Sequence, residues 1–140
     1  MTETFRLQIT TPERMVARED VEEAQIPAAN GYLGVLPGHA PLLAQLKPGE
    51  LSYRQAGRTQ YLAIGRGLVE VLPDQTKVLV ETAEKAKEID VARAQEAQQR
   101  AEERLRHPDP DTDIARAMVA LERALVRLQV AGKAMKSSEL

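Results

Sequence analysis

Hydrophobic and polar residues alternate singly in the first part of the chain and recur every three or four positions in the last part. In "FRLQITTP" the apolar Phe5, Leu7 and Ile9 are separated by polar residues, and Leu62 with Ile64, Val69 with Val71, and Val78 with Val80 repeat that period of two. Such runs predict half-buried β-strands. The segments "AANG", "LPGH", "KPGE", "QAGR" and "LPDQ" interrupt them with residues that supply positive or fixed φ angles, and so predict tight turns. Many short strands joined by tight turns predict an antiparallel sandwich or barrel over residues 1–84.

Beyond Glu84 glycine almost disappears and Ala, Glu, Arg and Leu dominate, so residues 85–140 predict a second, helical unit. One helix starts between Lys85 and Asp90 and runs to about Arg106, where Pro108 and Pro110 in "HPDPDTD" stop it. Asp111 or Thr112 is then the expected cap of a second helix. In that helix Ile114, Met118, Leu121, Leu125 and Leu128 follow the 4-3-4-3 spacing of an interhelical seam. The first helix offers Ala94, Ala97, Ala101 and Leu105, and the short connection predicts an antiparallel hairpin. The whole is α+β in two parts: an N-terminal antiparallel β-sandwich and a C-terminal two-helix hairpin. An alanine-rich seam buries few methylenes, each worth about 0.8 kcal/mol, so the hairpin is expected to be mobile or to need a partner.

Composition narrows the chemistry. In 140 residues there are 19 Lys and Arg against 21 Asp and Glu, which does not fit the strongly basic footprint of a general nucleic-acid binder. Cysteine is absent, which excludes disulfides, thiol catalysis and zinc-thiolate sites and fits a cytosolic setting. No apolar run approaches the ~20 residues of a membrane span, so membrane association is expected to be indirect. There is no Walker-type glycine loop, dinucleotide fingerprint or metal-ligand cluster, and no nucleophile pairs with His39 in "PGHAPL". His39 reads as structural or as part of an interface, and His107 as a cation at a helix end. The chain therefore reads as non-catalytic. Phe5 and Tyr61 are expected in the core, whereas Tyr32 is expected at a turn where a partner can touch it.

"IDVARAQEAQQRAEERL" places Asp90, Arg93, Arg100 and Arg104 along one helical stripe, and Arg116, Arg123 and Arg127 form another on the second helix. For most of these, ordinary i,i+3 and i,i+4 ion pairs suffice: Asp90 with Arg93, Glu96 with Arg100, Glu102 with Arg106 and Asp113 with Arg116. Each is worth about 0.2–0.5 kcal/mol. Arg123 and Arg127 differ, because the sequence supplies neither with an acid at helical spacing. Two uses stay open for them. One is a phosphate site shared with Arg93 and Arg100, since guanidinium forks match phosphate oxygens; the other is docking on an acidic patch of another protein.

Taken in order, "NGYLGVLPGHAPLL", "AIGRGLVEV" and "IDVARAQEA" resemble the epsilon subunits of F-type ATP synthases, called delta in mitochondria. The likeness covers nearly the whole chain. It implies a ten-stranded β-sandwich on the foot of the central stalk, against the gamma subunit and the c-subunit ring, on the cytoplasmic face of a bacterial inner membrane. It also implies that the helices regulate the motor: folded as a hairpin they permit ATP hydrolysis, and extended toward the alpha/beta catalytic head they inhibit it. In several bacterial members the folded hairpin binds ATP as a regulatory ligand. The positions matching that site are Glu84, Asp90, Arg93, Ala94, Arg100, Arg123 and Arg127. No metal is expected.

One departure concerns the subunit interface. The family's G-E-L-G reads Gly31-Tyr32-Leu33-Gly34 here, so an acidic contact with the ring is absent at that position and Tyr32, with His39, is expected to serve the interface. The rival readings are the same subunit with no physiological ATP binding, and a free-standing β-sandwich binding module with a helical dimerisation tail.

Overall fold

The computed structural model describes residues 3–138, with side chains through residue 134. Ten strands come first: β1 (Phe5–Thr10), β2 (Met15–Val21), β3 (Glu23–Ala28), β4 (Gly31–Val35), β5 (Leu42–Leu46), β6 (Gly49–Gln55), β7 (Arg58–Ile64), β8 (Gly67–Val71), β9 (Gln75–Val80) and β10 (Ala83–Lys85). A 3-10 turn (Ala86–Glu88) leads into α1 (Val91–Arg106) and α2 (Ile114–Ser138). The chain divides into two compact units after Lys85.

The strands form one hydrogen-bonded path, β10-β7-β6-β3-β5-β8-β9-β1-β2, with β4 paired to β3. Strand β3 is the corner of the sandwich. Its first residues pair with β6, and its last, Ala28, pairs with Leu46 of β5. The far edge nearly closes the sheet on itself: Glu22 N–H donates to the Arg54 carbonyl at 2.8 Å, and Gln55 Nε2 donates to Glu19 and to the Asp20 carbonyl. Every pair is antiparallel except β1 with β9, which run parallel.

The alternation expected from the sequence is met in β1, while β7 ends in three successive buried residues. In β1, Phe5, Leu7 and Ile9 are buried between half-buried neighbours, and Leu62, Ile64, Val69, Val71, Val78 and Val80 join them in a core that includes Val21, Ile26, Val35 and Leu51. Their large branched side chains exclude water from between the sheet faces, the main favourable term in such a fold. The turn between β6 and β7 has φ +50° at Ala56 and +76° at Gly57, the two-residue turn whose twist suits a hairpin. Gly67 needs to be glycine for room: an added Cβ would overlap the Leu79 carbonyl and approach Val80 Cα at 2.7 Å.

The helical unit corrects two expectations. First, α2 is capped by Asp113, whose Oδ1 accepts from Arg116 N–H at 3.0 Å, and not by Asp111 or Thr112. Thr112 is occupied in the turn instead: Asp109 N–H donates to its hydroxyl at 3.0 Å, and that hydroxyl donates to Asp109 Oδ1 at 3.1 Å. Second, the large apolar residues of α2 do not form the seam as one row: Leu121 and Leu128 are half-buried, and the other three are exposed. Ile114, Met118 and Leu125 are 43%, 59% and 45% exposed, whereas Ala117, Ala124, Val130 and Ala131 are buried. On α1 the buried residues are Ala94 and Ala101. Alanine meets alanine at seven-residue spacing, which lets two helices approach more closely than leucines would. Ile114, Met118 and Leu125 then face outward.

Candidate functional site

The candidate ligand residues lie in both units. Glu84 is a half-buried member of β10, in register with Ala63 of β7. The other six belong to the helical unit. Asp90 is the N-cap of α1, its Oδ1 accepting from Arg93 N–H at 3.1 Å, so this carboxylate secures the helix start. Ala94 is fully buried as part of the alanine seam.

Arg93 and Arg100 stand on α1, seven residues and so about 10 Å apart along its axis at a rise of about 1.5 Å per residue, and Arg123 and Arg127 stand one turn apart on α2. Arg100 and Arg104 line an open recess of about 600 Å³ beside His107 and the carboxylates of Glu96 and Glu103, which offset their charge.

Most of the expected helix-face ion pairs are replaced by other interactions. Glu102 does reach Arg106, at 3.8 Å, and Glu103 reaches the same guanidinium at 3.6 Å. Asp90 and Asp113 are committed to caps, and Glu102 accepts from Gln98 at 2.7 Å. Among the described residues no ion pair involves Arg93, Arg100 or Arg123, and all three are exposed. Arg127 is half-buried, with Nε out of solvent. Exposed guanidinium groups on each of two packed helices are suited chemically to an anion with several oxygens. His107 is the C-cap of α1, its N–H donating to the Glu103 carbonyl at 2.9 Å, as expected for a residue at a helix end.

The two interface candidates are both in the sandwich. His39 sits in the turn after β4, where its N–H donates to the Leu36 carbonyl at 3.2 Å and Nδ1 lies 2.7 Å from the Ala40 carbonyl. Tyr32 lies within strand β4, not at a turn, opposite Pro27, and is 57% exposed. Its hydroxyl donates across to the Glu50 carbonyl at 2.9 Å. Partial burial, and then the nearby Glu50 charge, push the phenol pKa above 10.0. Sequence reasoning did not find Glu50. Its place in "KPGELSY" gives no signal until the β3–β4 hairpin brings Tyr32 over Gly49.

Another surface also went unread. Thr10, Leu68, Leu79 and Gln45 line an open depression of about 680 Å³ on the sandwich, in which Leu68 and Leu79 form a cross-strand pair 45% and 53% exposed. In the sequence these leucines only continue the alternation, on the side expected to be polar. Among the described residues there is no group of His, Cys, Asp and Glu arranged to hold a metal, and no helix long and apolar enough to cross a membrane.

Comparison with known proteins covers both units. The beta-sandwich domain of the ATP synthase delta/epsilon chain matches residues 4–86, and the long alpha-helix domain of the same chain matches residues 87–132. ATP synthase epsilon chains are similar at 54% identity in Koribacter versatilis, over 79% of this chain and 78% of that one, and at 50% in Geotalea daltonii, over 95% and 97%. Among solved structures, a chain of the Euglena gracilis mitochondrial ATP synthase superposes with a TM-score of 0.79 at 26% identity, over 92% of this chain and 81% of its own. A chain of the Tetrahymena thermophila enzyme shares the fold with a TM-score of 0.57 at 18% identity, over 93% and 95%. With both units matched in order, and with full-length relatives near half identity, the chain belongs to the ATP synthase delta/epsilon family.

Proposed function

We propose that the chain is a non-catalytic central-stalk subunit that couples the catalytic head of a bacterial F-type ATP synthase to its membrane rotor, and that its hairpin is a regulatory ATP sensor. In this reading the sandwich seats on the gamma subunit and the c-ring, so the protein is held at the cytoplasmic face of the membrane through the complex. The c-ring assembly in which the Euglena relative was solved supports that placement. The hairpin would bind ATP when closed and inhibit hydrolysis when extended toward the alpha/beta head.

One observation carries the sensor: Arg93, Arg100 and Arg123 are exposed on the two helices of the hairpin, and among the described residues no ion pair involves them. Arg93 and Arg123 would meet phosphate oxygens from the two helices, with Arg127 behind them. Asp90 would keep its cap and offer its remaining oxygen to a ribose or amino group, while Ala94 would contribute closeness rather than contact. Arg100 would close the cluster beside Arg93. A ligand bridging both helices binds the closed state better than the open one, and so shifts the population toward it.

Titration calorimetry of the full chain with ATP, beside an Arg123→Ala/Arg127→Ala variant, tests this directly. Saturable binding by the parent and none by the variant is the expected result. No binding at millimolar ATP would leave those arginines to the second reading, docking on an acidic patch of the head, which the outward row Ile114, Met118 and Leu125 on the same helix favours. A free-standing module with a dimerising tail is set aside, because both units match one ATP synthase chain.

A further inference from the structure

The helices of the hairpin are joined covalently only through the turn between Arg106 and Ile114, so away from that turn contacts alone keep α2 against α1. Burial is uneven along their length. Beside the turn the buried residues are the alanines Ala101 and Ala117, while Ile114 and Met118 face solvent. Among the described residues of this unit, the branched apolar side chains that are buried outright are Ile89 and Val130. Ile89, just before the cap of α1, is 8% exposed, and Val130 has no exposure and is followed by the buried Ala131. At a rise of about 1.5 Å per residue, Val130 lies about 24 Å along α2 from Ile114. The 3-10 turn Ala86–Glu88, which leads into Ile89, lies against α2.

A buried isoleucine or valine takes several methylenes out of water and an alanine one methyl, so the hydrophobic closure of the hairpin is concentrated at the end away from the turn. Position multiplies that effect. A contact beside a covalent turn leaves the far ends free to part, whereas a contact at the far end resists opening of the whole length. We propose that residues 86–89, with Val130 and Ala131, form a latch that holds α2 to the entry of α1, and that its release is the step by which the hairpin opens. Opening of this kind has its own free energy, separate from that of unfolding the sandwich. The latch is independent of what the arginines bind, so the sensor reading can fail with the latch intact, and its test needs no nucleotide.

That test is hydrogen exchange of the full chain, followed segment by segment, for the parent and for Ile89→Ala, Val130→Ala and Met118→Ala. The thermal transition of the sandwich shows that each variant is folded. Ile89→Ala and Val130→Ala are each expected to speed exchange roughly tenfold or more along both helices, as far as Ala101 and Ala117, because losing the latch frees the whole hairpin. Met118→Ala, on the exposed face, should match the parent. The double variant Ile89→Ala/Val130→Ala should fall short of the product of the two single effects, since one latch is lost only once. Acceleration confined to the few amides beside each substitution, or a double variant whose effect equals the product, would overturn the latch and leave two unrelated buried side chains.

Discussion

The sandwich and the hairpin bury different materials. The sandwich core is built from Leu7, Ile9, Ile26, Leu51, Leu62 and a set of valines with essentially no exposure, whereas the hairpin seam is built from Ala94, Ala101, Ala117 and Ala124. A buried leucine or isoleucine removes several methylenes from water, and an alanine removes one methyl, so per residue the sandwich gains two or three times as much. The hairpin keeps its large side chains Ile114, Met118 and Leu125 on the outside. One unit is therefore expected to stay folded under conditions that open the other.

The largest effect should come from the sandwich. Leu51→Ala, at a fully buried position, is expected to cost about 2–5 kcal/mol, read as a lower denaturation midpoint for the β-unit. An equal response to Met118→Ala, on the exposed face of α2, would erase the contrast.

Next is the seam. Ala124→Leu adds bulk at a buried position of α2 and should cost about 1–3 kcal/mol of hairpin stability while leaving the sandwich transition in place. Limited proteolysis of residues 91–134 reads the first effect, and tyrosine fluorescence of the sandwich reads the second.

Smaller still are the caps. Asp113→Ala should destabilise α2 by about 1 kcal/mol, visible as faster amide exchange in its first turn. Asp111→Ala leaves that cap intact and should do less.

The sandwich was the more legible unit, and the reason is physical. Its side-chain period of two is imposed by the strand, so Phe5, Leu7 and Ile9 or Val78 and Val80 have one face available to the core. A helix offers several apolar stripes, and size alone suggested Ile114, Met118 and Leu121. The choice of Ala117 and Ala124 depends on what the opposing helix presents, which only the pair of helices decides. The arginines were legible as two stripes, one on each helix. Glu50 was invisible because its relation to Tyr32 is made by strand pairing.

A gentle pH effect sharpens the same contrast from the sandwich side. Burial, and then the Glu19 charge, raise the pKa of Tyr53, and Tyr32 is raised as well. A raised phenol pKa means that the folded state holds the proton more tightly than the unfolded chain. Stability from these groups is therefore full below the unfolded value of 10.0 and is lost as pH rises through the higher folded values. Ultraviolet titration should show both phenols ionising above that value, while denaturation followed above pH 10 should weaken the sandwich selectively.

The most direct test of a ligand-closed hairpin beside a permanent sandwich is hydrogen exchange of the full chain, with and without millimolar ATP, followed segment by segment. ATP should slow exchange across α1 and α2, leave β1 to β9 unchanged, and lose its effect in the Arg123→Ala/Arg127→Ala variant. Exchange in the helices that is indifferent to ATP, or protection that survives in the variant, would contradict the account.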